Sequence, residues 1–136
     1  MKNKVVLDTN CLLASLSRKG KYYSVWKGLQ EGRYVLCVST EIILESQEII
    51  AQKTNEFIAE NVIQTLLNCN NVVCYEPAFH LIEKDNDDNK FVDCAIASGA
   101  LFIVSNDHHY DILETISFPK VDVIKIQQFV EFLQHQ

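Results

Sequence analysis

The sequence has few residues that break regular structure: it contains four glycines and two prolines among 136 residues, with no repeat or low-complexity tract. No Pro/Gly-rich linker divides it, so we expect a single domain over residues 1–136. No apolar run is long enough to span a bilayer, and residues 1–7 lead straight into a strand-like stretch instead of a secretory leader. These absences predict a soluble cytoplasmic protein without a membrane span.

The cysteines lack the spacing of a metal site or a disulfide framework. Their number is odd, no CxxC pair occurs, and most lie next to apolar residues, as Cys37 does within 35–38. This pattern favours small hydrophobic side chains in a reducing compartment over zinc ligation or disulfide bonding. The five are Cys11, Cys37, Cys69, Cys74 and Cys94.

Positive charge is scarce overall but unevenly placed. The net charge of −6 argues against a protein that coats nucleic acid non-specifically. Residues 1–40 carry seven Lys/Arg and two Asp/Glu, a local +5, whereas residues 41–136 carry five and sixteen, a local −11. One interpretation is ordinary surface variation. The other is that Arg18, Lys19 and Lys21 contact phosphate beside an acidic pocket.

Short apolar runs alternate with longer amphipathic ones, which is typical of an α/β fold with a parallel sheet. The predicted strands are 4–7, 34–38, 72–75, 101–104 and 121–124. The predicted helices are 11–16, 23–31, one capped by Ser39 or Thr40, one carrying the apolar residues of 57–67, 88–99, 110–115 and 127–133. Residues 76–86 are expected to form a loop.

Acidic side chains fall at the ends of the predicted strands. Asp8 directly follows the first strand, and Asp107 lies three residues after Val104, the last apolar residue of the fourth. Because ligands bind outside the carboxyl ends of the strands in an open parallel sheet, we expect these two acids to share one crevice. Asp88 opens a predicted helix, and Glu45 lies near the boundary of the apolar face of another.

Carboxylates that the fold brings close together repel one another unless protons or a cation intervene. Mg²⁺ takes oxygen ligands, keeps several waters and grips substrate phosphate. A metal held in this way activates water and stabilises a departing oxygen in phosphodiester hydrolysis, without a Ser-His-Asp or Cys-His nucleophile. The acids therefore suggest a metal-dependent phosphodiesterase.

Each acid also has a purely structural interpretation. Asp8 suits a turn or a helix N-cap in the run Asp8-Thr9-Asn10. Asp88 suits the first turn of a helix, where the dipole favours negative charge. Asp107 suits a cap for the helix that follows it. Glu45 shares its helix with two other glutamates, and all three suit a solvated face.

Four segments taken together resemble the PIN domain family. They are V-V-L-D-T-N at 5–10, S-T-E-I-I-L-E at 39–45, D-D-N-K-F-V-D-C-A at 87–95 and I-V-S-N-D at 103–107. No one of them is very specific, but their order and spacing are, and the resemblance covers nearly the whole chain. It is strongest to bacterial and archaeal PIN proteins regarded as toxins of toxin–antitoxin pairs.

This resemblance implies a three-layer α/β/α domain with a mostly parallel, Rossmann-like sheet and a metal-dependent endoribonuclease activity. Its catalytic acids would be Asp8, Glu45, Asp88 and Asp107, with Asp87 as the alternative to Asp88 if the register is shifted by one. Its metal ligands would be Asp8, Asp88, Asp107 and Asp93, of which the last faces a second metal.

The resemblance also implies a cofactor, a substrate and partners. The cofactor would be Mg²⁺ or Mn²⁺, and the substrate RNA. Asn10 and Ser105 match polar residues of the family near the substrate, to which the charge pattern adds Arg18 and Lys19. As the toxin of a type II toxin–antitoxin pair, the chain would bind a cognate antitoxin. It would also form a homodimer, for which the apolar residues of 54–67 are either an interface or part of the core.

Two other functions compete with this one. A phosphatase of the haloacid dehalogenase type also places an aspartate nucleophile at a strand end, but it needs a second aspartate two residues later, where this chain has Asn10. A non-catalytic interaction module would use the apolar helices to dock a partner protein. Metal binding distinguishes the two: Mn²⁺ should stabilise the fold of a metal-dependent nuclease, because a bound ligand stabilises by mass action, and should not stabilise the module.

Overall fold

In a computed structural model, the described residues are 2–76, 89–107, 110 and 121–135. These residues form five strands and six helices. The strands are β1 (Lys4–Leu7), β2 (Val35–Val38), β3 (Val72–Cys74), β4 (Phe102–Val104) and β5 (Val123–Ile124). The helices are α1 (Thr9–Ala14), α2 (Tyr23–Gln30), α3 (Thr40–Lys53), α4 (Glu56–Asn68), α5 (Asn89–Ser98) and α6 (Ile126–Gln134).

The strands make one sheet in the order β3-β2-β1-β4-β5, and every pairing among them is parallel. The predicted three-layer α/β/α architecture with a Rossmann-like sheet is confirmed. The chain runs outward from β1 to β3 and then returns to place β4 on the other side of β1, with Leu7 opposite Val104. The order therefore reverses between β1 and β4, which is where such sheets open a ligand-binding crevice.

The core includes strands β1 and β4 and the last helix, α6. Val5 and Val6 of β1 and Ile103 of β4 are fully buried, as expected for strands covered on both faces. Phe129 of α6 packs edge-on against Tyr34 at 5.0 Å and against Phe102 at 5.7 Å between ring centroids. This aromatic contact fixes α6, whose first turn borders the site described below.

Local capping chemistry sets the helix ends. Asp8 caps α1, so this helix begins two residues before the predicted start. Ser39, not Thr40, caps α3, and its hydroxyl accepts from the N–H of Ile42 at 3.3 Å. Gly99 follows the C-terminal end of α5. Its φ is 67°, a left-handed conformation that glycine adopts without the steric cost of a Cβ.

Some expectations fall outside the described residues. These are most of the predicted loop 76–86, the predicted helix 110–115 beyond Tyr110, and the acid at position 88. The last strand is shorter than predicted, because only Val123 and Ile124 pair with β4.

All five cysteines are free, and three of them are buried in the core, namely Cys11, Cys37 and Cys94. Among the described residues, no helix combines the length and apolarity of a membrane span.

Candidate functional site

Asp8 stands at the carboxyl end of β1 and is only 6% exposed. Its backbone N–H donates to the carbonyl of Val104 at 3.1 Å and so extends the pairing with β4 by one residue. Its Oδ1 accepts from the N–H of Cys11 at 2.8 Å and closes the first turn of α1. A strand, a neighbouring strand and a helix therefore all fix the position of this carboxylate.

Ser105 connects Asp8 with Asp107. It is 3% exposed, directly after β4, and its hydroxyl donates to Oδ2 of Asp8. The same hydroxyl oxygen accepts from the backbone N–H of Asp107 at 3.0 Å. We call these three residues the Asp8–Ser105–Asp107 unit. The sequence predicts Ser105 among the residues that touch substrate; in the structure it is buried, with its hydroxyl between the carboxylate of Asp8 and the backbone of Asp107.

The two acids of this unit open onto a cleft of about 230 Å³ at the reversal point of the sheet. One wall is the exposed side of α1, and the other is the segment after β4 together with the start of α6. Asn106 joins these last two elements, because its Oδ1 accepts from the N–H of Ile126 at 3.1 Å. The described residues that line the cleft are Asp8, Asn10, Cys11, Ala14, Asn106, Asp107 and Ile126.

Glu45 lies beside this unit and is bonded through both of its oxygens. Oε2 accepts from the hydroxyl of Thr9 at 2.7 Å, and Oε1 is 3.0 Å from Nζ of Lys90. Its side chain is 26% exposed, whereas Glu41 and Glu48 on the same helix are exposed to solvent. Partial burial and two specific partners thus set Glu45 apart from Glu41 and Glu48, so the interpretation that all three share a solvated face does not hold for Glu45.

The remaining predicted site residues either do not line the cleft or lie outside the described part. Asp93 is 1% exposed on α5, which packs on β1, β2 and β4. Asp88 lies just before the described start of that helix, so its relation to the other acids stays a prediction. Arg18 and Lys19 are exposed on the connection between α1 and α2, four and five residues beyond the cleft residue Ala14.

The cysteine in the cleft wall is not a nucleophile. Burial and then the nearby charge of Asp8 raise the pKa of Cys11 far above its ordinary value. Burial likewise raises the pKa of Cys94 in α5 to about 12. Both side chains therefore remain neutral thiols at physiological pH, and a thiol attacks far more slowly than a thiolate. The chemistry of the cleft rests on its oxygen atoms.

The donors at the cleft fit a hard divalent cation. The two carboxylates and the amide oxygen of Asn10 are oxygen donors at the cleft, whereas the amide oxygen of Asn106 already accepts from Ile126. Mg²⁺ commonly binds through one or two carboxylates while keeping several waters. Each oxygen of Asp8 already accepts one hydrogen bond but retains a second lone pair. Within the described part of the chain, no three His, Cys, Asp or Glu side chains form a complete cluster, and Asp88 lies outside it.

Two partners in this arrangement were not singled out from the sequence. From the sequence, Lys90 has no predicted role within the 87–95 segment, and Thr9 has only a predicted place in a turn or helix N-cap. The sequence does carry one indication of a role for Lys90: it directly precedes Phe91 and Val92, which the helical pattern predicts to be buried. Such a position is unusual for lysine, which is almost never fully buried unless paired.

Comparison with known proteins gives a family and a fold. A family model described as the PIN domain matches residues 4–109. Among solved structures, a chain of the VapBC2 complex from Rickettsia felis bound to a DNA fragment of its promoter superposes with a TM-score of 0.60 and 13% identity, over 90% of this chain and 98% of that one.

Two further structures share the fold at similarly low identity. A chain of DNA-bound VapBC from Salmonella typhimurium matches with a TM-score of 0.59 and 17% identity, over 91% of this chain and 98% of that one. The PIN domain endonuclease Utp24 matches with a TM-score of 0.54 and 12% identity, over 90% and 84%. No curated protein matches the sequence.

Proposed function

The chain belongs to the PIN domain family, and from that premise we propose that it is a metal-dependent endoribonuclease that hydrolyses RNA phosphodiester bonds. One observation carries the proposal: Ser105 ties Asp8 and Asp107 together at the point where the strand order of the sheet reverses. Two acids 99 positions apart in the sequence thus border one cleft with amide side chains on its walls. Such a cluster of oxygen donors is suited to a cation and a phosphate.

In this proposal Asp8 and Asp107, with Asp88 from outside the described residues, would hold Mg²⁺ or Mn²⁺. Bound there, such an ion supplies Lewis acidity to a phosphoryl oxygen and makes water a better nucleophile near neutral pH. The chain's own contribution is placement. Ser105 fixes the orientation of the Asp8 carboxylate, and burial keeps bulk water away from it. Asn10 and Asn106 offer amide N–H groups to phosphate oxygens on the cleft walls.

Arg18 and Lys19 are proposed to hold the nucleic-acid backbone. They are exposed and follow closely on the helix that forms one cleft wall. Because phosphate contacts release counterions, this contribution should weaken as salt rises. The cleft is lined by the carboxylates of Asp8 and Asp107, so basic residues near it would offset their repulsion of phosphate.

We further propose that the chain is the toxin of a type II toxin–antitoxin pair, with a cognate antitoxin as its protein partner. Support comes from the likeness in fold to VapBC proteins, two complexes of which were solved bound to DNA. A homodimer is proposed as well, built on an apolar patch of α3 and α4. We define this α3–α4 patch by its exposed apolar side chains, which are Leu44, Phe57, Ile58 and Leu67.

The experiment that tests the nuclease is Asp8→Asn. Asparagine is as good an N-cap as aspartate, so the variant should fold while losing the negative charge. We expect Mn²⁺-dependent cleavage of a single-stranded RNA to fall by about 100-fold or more. The matched control is Glu41→Gln, which removes an exposed carboxylate near the start of α3 and should leave cleavage unchanged. Undiminished cleavage by folded Asp8→Asn would overturn the proposal, and cleavage of DNA alone would overturn its substrate.

The exposed α3–α4 patch favours one other candidate, an interaction module without catalysis. Phe57 is 73% exposed and Leu67 is 62% exposed, and exposed apolar side chains that form a contiguous patch commonly mark an interaction site. Thermal melting with Mn²⁺ separates the two candidates. A nuclease should melt higher at millimolar Mn²⁺, because a ligand that binds only the folded state stabilises it. An unchanged melting temperature would favour the module.

A further inference from the structure

Lys90 is an unusual residue in this site. It is 9% exposed, and burial of an ammonium group is costly unless an opposite charge lies close by. Its Nζ is 3.0 Å from Oε1 of Glu45, which is both ion-pair and hydrogen-bond distance. The pair joins the first turn of α5 to the middle of α3, 45 positions away in sequence. A cation of the protein is thus already present among the acids.

Glu45 has committed both of its oxygens. Lys90 occupies Oε1, and the hydroxyl of Thr9 occupies Oε2 at 2.7 Å. Thr9 directly follows Asp8, so the ion pair borders the Asp8–Ser105–Asp107 unit without belonging to it. A divalent ion placed on Glu45 would have to displace this ammonium or lie within a few ångströms of it. Like charges at that distance in a partly buried site repel strongly.

We propose that Lys90 is the permanent counter-ion of Glu45, that this pair stands in place of a second metal, and that the site binds one divalent ion per chain. Glu45 is then a positioning residue that holds Thr9, and through it the start of α1, instead of a metal ligand. This inference rests on the proposed function for the identity of the ion. It reassigns Glu45, which the resemblance had placed among the catalytic acids.

The test counts Mn²⁺ ions bound per chain, by electron paramagnetic resonance of free Mn²⁺ and by calorimetry, without substrate. We expect one ion for the unaltered chain. Lys90→Met removes the charge while keeping a side chain of similar length, and we expect it to bind a second ion. Adding Glu45→Gln to this variant should abolish that second site. Lys53→Met, at the exposed end of α3, is the matched control and should still bind one ion.

A single substitution covers the case in which Lys90→Met fails to fold. Glu45→Gln keeps one amide oxygen that can accept from Lys90, while its NH₂ group can donate to the hydroxyl oxygen of Thr9. It should bind one Mn²⁺ with an affinity within about threefold of the unaltered chain. In Glu45→Gln the proposal requires the number of ions to stay at one, because Glu45 is not counted among the metal ligands. In folded Lys90→Met a purely structural ion pair would change the melting temperature but not the number of ions, whereas the proposal requires a second ion.

The outcomes distinguish this inference from the nuclease itself. Two ions in the unaltered chain together with RNA cleavage would overturn the inference and leave the nuclease standing. One ion in folded Lys90→Met, or loss of the only ion in Glu45→Gln, would also overturn it. Absence of any bound ion together with absence of cleavage would overturn both. One ion without RNA cleavage, rising to two in Lys90→Met, would support the inference and remove the nuclease.

Discussion

The hydroxyl of Ser105 donates a hydrogen bond to the carboxylate of Asp8, although the two residues are 97 positions apart. This contact exists because β1 and β4 are neighbours in the sheet and end at the same level, with Leu7 opposite Val104. The position of the acid therefore depends on a residue at the end of another strand. Substitutions at either end of the contact should affect both stability and chemistry.

Ser105→Ala should lower RNA cleavage by about 10- to 100-fold, because residues that orient metal-binding side chains commonly have effects of this size. It should also lower the free energy of unfolding by about 1–3 kcal/mol, since the N–H of Asp107 and the buried oxygen of Asp8 lose their partner. Cleavage assays and urea denaturation measure the two effects. Ser105→Thr retains the hydroxyl and should keep most of the activity; an alanine variant with full activity would contradict the positioning role.

Asp8 also has a structural role as the N-cap of α1, which its substitutions should separate from its chemical role. Asp8→Ala should reduce the free energy of unfolding by about 1–2 kcal/mol, because the N–H of Cys11 loses its acceptor. Asp8→Asn retains an acceptor for the N–H of Cys11 but places an NH₂ group where Oδ2 accepts from Ser105, so its loss should be smaller than that of Asp8→Ala. Urea denaturation without added metal tests this. Equal losses in the two variants would show that charge, not capping, dominates.

Phe129 is the central residue of the aromatic contacts that hold α6. Its truncation to alanine should lower the free energy of unfolding by about 3–5 kcal/mol, since the side chain is fully buried against Tyr34 and Phe102. Phe57→Ala removes the same atoms from an exposed position and should change stability by no more than about 0.5 kcal/mol in a monomeric sample. A small loss at Phe129 would mean that α6 contributes little to the core.

The thiol of Cys74 should show a pH dependence that Glu76 controls. Burial, together with the hydrogen bond and charge of Glu76 at 3.4 Å, raises the pKa of Cys74 above its ordinary value. The reactive thiolate therefore forms only at higher pH, and iodoacetamide labelling near pH 8 should be slow. Glu76→Gln removes the charge, lowers this pKa and should speed labelling. Mass spectrometry of the labelled peptides follows Cys74 separately, and an unchanged rate would contradict this account.

The proposed homodimer predicts a clear response to charge on the α3–α4 patch. Leu67→Lys introduces a cation at an exposed apolar position of α4, and analytical ultracentrifugation should show a shift from dimer to monomer. Glu60→Lys alters an exposed charge on the same helix and serves as the control. A monomeric unaltered chain at micromolar concentration would rule out this dimer. An unchanged dimer in Leu67→Lys would move the interface elsewhere.

Much of the fold could be predicted from local sequence patterns. The buried run Val5–Leu7 marks a strand, and the alternation of apolar runs with amphipathic ones predicts a parallel sheet with helices on it. Ser39 and Gly99 mark helix ends, because a cap or a left-handed residue acts on the nearest turn alone. The expectation that Asp8 and Asp107 share one crevice needed only the rule that parallel strands end at one edge.

The sequence by itself determined the elements, their order and the presence of acids at strand ends, since these depend on interactions across a few residues. Only the tertiary structure decided that the hydroxyl of Ser105 bonds to the carboxylate of Asp8, and that Glu45 pairs with Lys90 and Thr9. Those contacts require β1 beside β4 and α3 beside α5. Such pairings depend on how whole elements pack, and no local pattern of residues encodes which side chains meet there.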